Sequence, residues 1–219
     1  MTDLGQRIHF LFDLDGTLVD STPLHLRAYL ATIAAASPKI AASFDYKKIS
    51  GKTTRTAFVE LGFEPHLIDR LVAAKQQAYL SSIEAGEIAP FEGARDLLER
   101  VASRGITSYL VTSASRRSTD RVLRATGLGA YFRIVVTGDD VKNGKPAPDG
   151  YRAVVDQYAL SPNESLVIED APAGLVAARG AGLEAVCVNW PKTAARPKEA
   201  IHTFASLSAF HAALEKSWS

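Results

Sequence analysis

Two hydrophobic periods divide the 219-residue chain. From Pro23 to about Ala85 apolar residues recur at helical spacing and no strand pattern interrupts them; from Pro90 onward, helical stretches alternate with short apolar runs. In the first part, Leu24, Tyr29, Leu30 and Ile33 predict a helix over Pro23–Ala36, with Ser21 or Thr22 as its cap. Tyr46–Ser50 reads as a short helix ended by Gly51, Thr54–Leu61 as a second stopped by Gly62, and Glu64–Glu84 as a long third. Ahead of this block, the run Ile8–Phe12 reads as a buried strand.

After Pro90 the pattern predicts helices over Gly93–Arg104, Ser115–Thr126, Asp149–Tyr158, Pro172–Ala181 and Leu207–Lys216. Between them fall strands at Ile106–Thr112, Ile134–Thr137, Ser165–Glu169 and Ala185–Asn189. Strands alternating with helices of this length imply right-handed crossovers and a parallel sheet covered on both faces, so the expected class is α/β with an all-helical insert. Ligands of such sheets bind at the carboxyl ends of the strands.

Those ends carry polar residues. Asp13 and Asp15 close the first strand, Thr112-Ser113-Ala114-Ser115 the second, and Glu169-Asp170 the fourth, while the loop after the third holds Lys142-Asn143-Gly144-Lys145-Pro146. Asp13 and Asp15 leave one side of an extended chain as like charges. Either a divalent cation offsets their repulsion, or one of them keeps a proton and becomes a general acid. An oxygen-rich carboxylate site suits magnesium, a hard cation. Ser113 and Ala114 precede a helix start, where a hydroxyl and free backbone N–H groups bind phosphate oxygens, and Lys145 adds a positive charge. Each residue also has an ordinary reading, as turn former, N-cap or solvated lysine. Their joint occurrence at every strand end favours chemistry over turns.

Net charge is +1 and no charge run dominates, so bulk electrostatics do not indicate a nucleic-acid or anionic-membrane surface. Cys187, the single cysteine, lies in a strand-like run and cannot form an intrachain disulfide. No apolar segment approaches the roughly 20 residues of a membrane span, and no basic-then-apolar leader opens the chain, so a cytoplasmic location is expected. Gly51-Lys52-Thr53 resembles part of a nucleotide-binding loop, but Tyr46 stands where the first glycine is required.

The motifs Phe12–Ser21 (FDLDGTLVDS), Val111–Ser115 (VTSAS), Gly144–Asp149 (GKPAPD) and Val167–Gly174 (VIEDAPAG) together resemble the haloacid dehalogenase superfamily of phosphatases. The resemblance implies a Rossmann-like core over residues 1–20 and 89–219 and a helical cap over 21–88, closing about hinges near Thr17–Thr22 and Gly86–Gly93. It implies Asp13 as nucleophile forming an aspartyl-phosphate, Asp15 as acid and base, Ser113 and Lys145 on phosphate, and a magnesium site of Asp13, the backbone near Asp15, and Asp170 with Glu169.

Within that superfamily the wording is most similar to phosphatases of small sugar and polyol phosphates, with a phosphosugar mutase of the beta-phosphoglucomutase type as the competitor. His25 lies where the mutase has a histidine, whereas Thr17 follows the phosphatase pattern. Lys52 and Arg55 fall in the position of a substrate-specificity loop. The expected partner is a small phosphorylated metabolite, with no nucleic acid, no membrane and a monomeric chain. A non-catalytic sugar-phosphate binding module is the alternative of another class.

Overall fold

The computed structural model describes residues 4–49 and 52–218. In chain order its regular elements begin with β1 (His9–Phe12), then four helices, α1 (Thr22–Ala36), α2 (Pro38–Ala42), α3 (Thr54–Glu60) and α4 (Pro65–Glu84). There follow α5 (Ala94–Ser103), β2 (Thr107–Val111), α6 (Arg116–Thr126), β3 (Phe132–Val136), α7 (Asp149–Tyr158), β4 (Ser165–Glu169), α8 (Pro172–Gly180), β5 (Ala185–Cys187), β6 (Ala200–Thr203) and α9 (Leu207–Ser217). The predicted helix end at Ser50 and Gly51 lies outside the described residues; before it, Tyr46–Lys48 form one 3-10 turn.

Among the described residues the strands form one six-stranded sheet, ordered β3-β2-β1-β4-β5-β6, with every pairing parallel. Strand alternation sorts the apolar residues into two layers. Phe10 and Phe12 face one side with Leu110, Leu166, Ile168 and Val186, against Leu97, Leu98 and Val101 of α5 and Phe210 and Leu214 of α9. Leu11 faces the other side with Tyr109, Val111, Val167 and Cys187, against Tyr151 and Val154 of α7 and Leu175 of α8. Each large side chain fully buried this way contributes roughly 1.5–3 kcal/mol, which is why such short strands hold.

Three elements differ from the sequence expectation. The edge strand β6 and the short helix α2 were not predicted, and β3 begins two residues earlier than its apolar run. Edge pairing on β5 sets β6, a long-range partner that local periodicity does not register.

The helical segment between β1 and α5 has its own core. Tyr29 and Ile33 of α1, Phe58 of α3, and Ile68 and Leu71 of α4 pack together with Ile49 and Phe63. The chain enters and leaves this segment along adjacent backbones, since Asp20 N–H donates to Ala89 O (3.1 Å) and Phe91 N–H to Leu18 O (2.9 Å). β1 and β4 are neighbours from which the strand order runs outward in both directions, so the crevice of the sheet opens at the ends of these two strands.

Candidate active site

That crevice gathers residues from across the sequence. Lys145 Nζ lies 2.6 Å from Asp13 Oδ1 at the end of β1, 2.6 Å from Glu169 Oε1 at the end of β4, and 2.8 Å from Val111 O at the end of β2. Lys145, Asp13 and Glu169 are all buried. Burial alone lowers a lysine's pKa, but the carboxylates of Asp13 and Glu169 outweigh it and hold Lys145 above its ordinary value. Tyr151 donates to the same Glu169 oxygen at 2.6 Å.

One ammonium does not neutralise this site. Asp13, Glu169 and Asp170 offer carboxylate oxygens that all lie within 4.8 Å of one another. Burial pushes the Asp13 carboxyl up to about 7, against the pull of Lys145, and burial with the charges of Asp13 and Glu169 pushes Asp170 well above the usual carboxylate range. Crowded, desolvated carboxylate oxygens beside a crevice are the donor set of a hard divalent cation. The residues present therefore fit magnesium. Gly16, at φ +86°, lets the chain turn tightly after Asp15, and a β-carbon there would overlap the Asp170 carboxylate. Asn189 steadies the turn by donating to Gly16 O at 2.7 Å.

Asp15 points elsewhere. Its Oδ1 lies 3.3 Å from His25 Nε2 on α1 and accepts from the Tyr79 hydroxyl on α4 at 3.2 Å. The His25 and Tyr79 rings stack at 4.0 Å with 9° between their planes. Lys75, also on α4, places Nζ 2.6 Å from His25 Nδ1. Burial and the Lys75 charge lower the His25 pKa, so the imidazole is neutral, accepts at Nδ1 and donates from Nε2. For Asp15, burial raises the pKa, but the His25 hydrogen bond and the nearby positive charge, Lys75 included, lower it below the usual carboxylate range. In this arrangement Asp15 is held as the ionised carboxylate.

Ser113 separates from its ordinary reading. The N-cap of α6 is Ser115, whose hydroxyl accepts from Ser118 N–H, so Ser113 does not cap the helix. The Ser113 hydroxyl oxygen is buried beside the crevice with no hydrogen-bond partner among the described residues. A buried hydroxyl without a partner costs about 1–3 kcal/mol, as a donor kept for a ligand does. Ala114 is adjacent, but its N–H donates to Thr112 Oγ1 at 3.1 Å.

Lys52 and Arg55 line the outer wall of the same cavity, each in an ion pair, Lys52 with Glu60 and Arg55 with Asp69. Thr53 comes close enough to Gly144 that a β-carbon on that glycine would stand 3.1 Å from Thr53 Cγ2. The helical segment therefore reaches over the loop carrying Lys145.

Lys75, Tyr79 and Tyr151 are site residues that sequence reasoning missed, and Thr17, noted there only for matching the phosphatase pattern, joins them. Thr17 Oγ1 donates to Asp170 Oδ1 at 3.3 Å. Lys75 did leave a signal, for it occupies the buried stripe of α4 with Ile68, Leu71, Tyr79 and Ile83, where a lysine needs a partner.

The model of the family described as haloacid dehalogenase-like hydrolase matches residues 10–188. Hexitol phosphatase A of Escherichia coli is 34% identical over 192 residues, covering 87% of each chain. A phosphorylated carbohydrates phosphatase of Thermotoga maritima is 32% identical over 178 residues, covering 80% of this chain and 82% of its own. Among solved structures, CbbY of Rhodobacter sphaeroides in complex with phosphate superposes with a TM-score of 0.77 at 26% identity, over 91% of this chain and 94% of that one.

Proposed function

The chain belongs to the haloacid dehalogenase-like hydrolases and is a phosphatase, and from that premise we propose that it hydrolyses a small sugar or polyol phosphate with magnesium, through an aspartyl-phosphate on Asp13. The observation that carries this reading is the convergence of buried Asp13, Lys145 and Glu169 with half-buried Asp170, beside an unpartnered Ser113 hydroxyl. Asp13 and Asp170, with Glu169, would hold the cation, and the backbone near Asp15 is a further candidate ligand. When bound, magnesium neutralises negative charge on the carboxylates and on the phosphoryl group.

In the first step an Asp13 oxygen bonds to phosphorus and the bond to the ester oxygen breaks, with the departing oxygen taking a proton from Asp15. Asp15 is ionised while His25 and Tyr79 hold it, so it takes up that proton once it is released from them to face the leaving group. In the second step Asp15 removes a proton from water, whose oxygen attacks phosphorus and frees Asp13 with release of phosphate. Ser113 donates to a phosphoryl oxygen, and Lys145 faces the charge that develops in both steps. Residues 21–88 act as a cap that excludes bulk water on closing and releases product on opening.

One observation favours a second reading. Asp15 is tied to His25 and Tyr79, and a base held off water until a sugar hydroxyl displaces that tie suits a phosphosugar mutase. Measuring free phosphate against isomerised sugar phosphate, with and without a bisphosphate activator, separates the two. Asp13→Asn tests both against a binding module, since a catalytic Asp13 predicts turnover down roughly a thousandfold or more with the melting temperature held. Retained turnover in that variant rules out Asp13 as the nucleophile.

A further inference from the structure

Resting on the phosphatase reading, we propose that this site selects phosphate monoesters whose leaving group carries no second charge, namely an uncharged polyhydroxylated carbon chain, and disfavours the corresponding bisphosphates. The cavity measures about 350 Å³, within the range that takes a small metabolite. Its phosphoryl end is the crevice of Asp13, Ser113 and Lys145. The opposite wall, supplied by the helical segment, includes Tyr29, Ile49, Thr54, Val72 and Gln76.

Among the described residues the cations lining this cavity are Lys52, Arg55, Lys75 and Lys145, and each is already engaged. Lys145 serves Asp13 and Glu169, and Lys75 serves His25 while lying 4.8 Å and 4.9 Å from the ring centroids of Tyr29 and Tyr79. Lys52 and Arg55, the two supplied by the helical segment away from Asp15, are paired with Glu60 and Asp69. A second phosphate needs several charge-assisted donors of its own. Taking them from Lys52 and Arg55 strips Glu60 and Asp69 of their partners and leaves both carboxylates near a dianion.

A neutral hydroxylated chain meets no such penalty. Threonine hydroxyls and the Gln76 amide both donate and accept, and aromatic faces pack against C–H groups. Charge pairing in the wall thus acts as a filter against a second anion.

The test compares kcat/KM for a polyol monophosphate and the bisphosphate of the same polyol, by phosphate release, in the wild type and in Glu60→Gln and Asp69→Asn. Glu60 and Asp69 lie at the surface and outside the cavity lining, so both variants fold and keep the phosphoryl end intact. The wild type is expected to favour the monophosphate by about tenfold or more. Each variant is expected to raise the bisphosphate's kcat/KM about fivefold and leave the monophosphate within about twofold. Equal wild-type use of both esters, or no gain for the bisphosphate in either variant, overturns the filter alone. Release from neither ester overturns the phosphatase reading and the filter with it.

Discussion

Lys75 Nζ lies 2.6 Å from His25 Nδ1, and this contact joins the helical segment to the turn after β1, because the other nitrogen of that imidazole faces Asp15. A buried ammonium bonded to a neutral ring orients His25 at a cost in stability. Burial lowers the Lys75 pKa from 10.5 to about 8, and the charge of Asp15 only partly restores it. Tyr29 and Tyr79 face the ammonium with their rings.

Lys75→Met therefore stabilises the protein near neutral pH. A fall from 10.5 to about 8 corresponds to roughly 3 kcal/mol of penalty on the charged form, and the lost hydrogen bond to His25 returns about 1 kcal/mol of it. Between pH 8 and 10.5 the unfolded lysine holds a proton that the folded one lacks, so this residue's contribution makes wild-type stability rise with pH there. The penalty is complete below about pH 8 and gone above 10.5. Denaturant unfolding at pH 7 and pH 10 should show a gain of about 2 kcal/mol at the lower pH and much less at the higher; a gain independent of pH would refute the buried charge as its source.

Ser113→Ala is expected to move stability and activity in opposite directions. Removing a buried hydroxyl that lacks a partner raises stability by up to about 1 kcal/mol. Removing a donor aimed at the phosphoryl group lowers kcat/KM by about tenfold to a hundredfold. Thermal unfolding and phosphate-release kinetics on one preparation check both signs. A variant that loses stability and keeps its kinetics would show the hydroxyl to be structural.

The contrast between these two residues shows what the sequence makes legible. Strand ends rich in polar groups point to Asp13, Ser113, Lys145 and Asp170, because a parallel sheet brings its carboxyl ends together whatever the intervening lengths. Asp15's ionised state is another matter. It depends on His25 and on a lysine 60 residues downstream, and helical periodicity shows only that Lys75 sits on a buried stripe, not what it meets there. β6 was missed for a related reason. Ala200-Ile-His-Thr has no apolar run of its own and becomes a strand through β5.

Gly16→Ala tests how closely the turn after Asp15 is matched to the acidic cluster. Alanine at φ +86° is strained, and its β-carbon overlaps the Asp170 carboxylate, so the turn or that side chain must move. The expected loss is about 2 kcal/mol of stability, together with weaker magnesium activation as Asp170 is displaced. Urea unfolding gives the first and the magnesium dependence of phosphate release the second. An unchanged magnesium response would mean that the turn yields and Asp170 stays in place.

Asp170→Asn separates the cost of crowding acids from their use. Burial and the charges of Asp13 and Glu169 all disfavour the ionised Asp170, so neutralising it should stabilise the metal-free protein. The amide oxygen can still accept from Thr17 Oγ1, which keeps the side chain in position. A cation that binds only the folded wild type raises its melting temperature with concentration, and this rise should shrink sharply in the variant because one of three clustered carboxylates is gone. Phosphate release at saturating magnesium should fall about a hundredfold or more, since the neutral amide is a poorer ligand for a hard cation. Melting curves across a magnesium titration, run on both proteins in chelator-treated buffer, decide the point. If magnesium raises the two melting temperatures equally, Asp170 is not a ligand, and its crowding beside Asp13 needs another explanation.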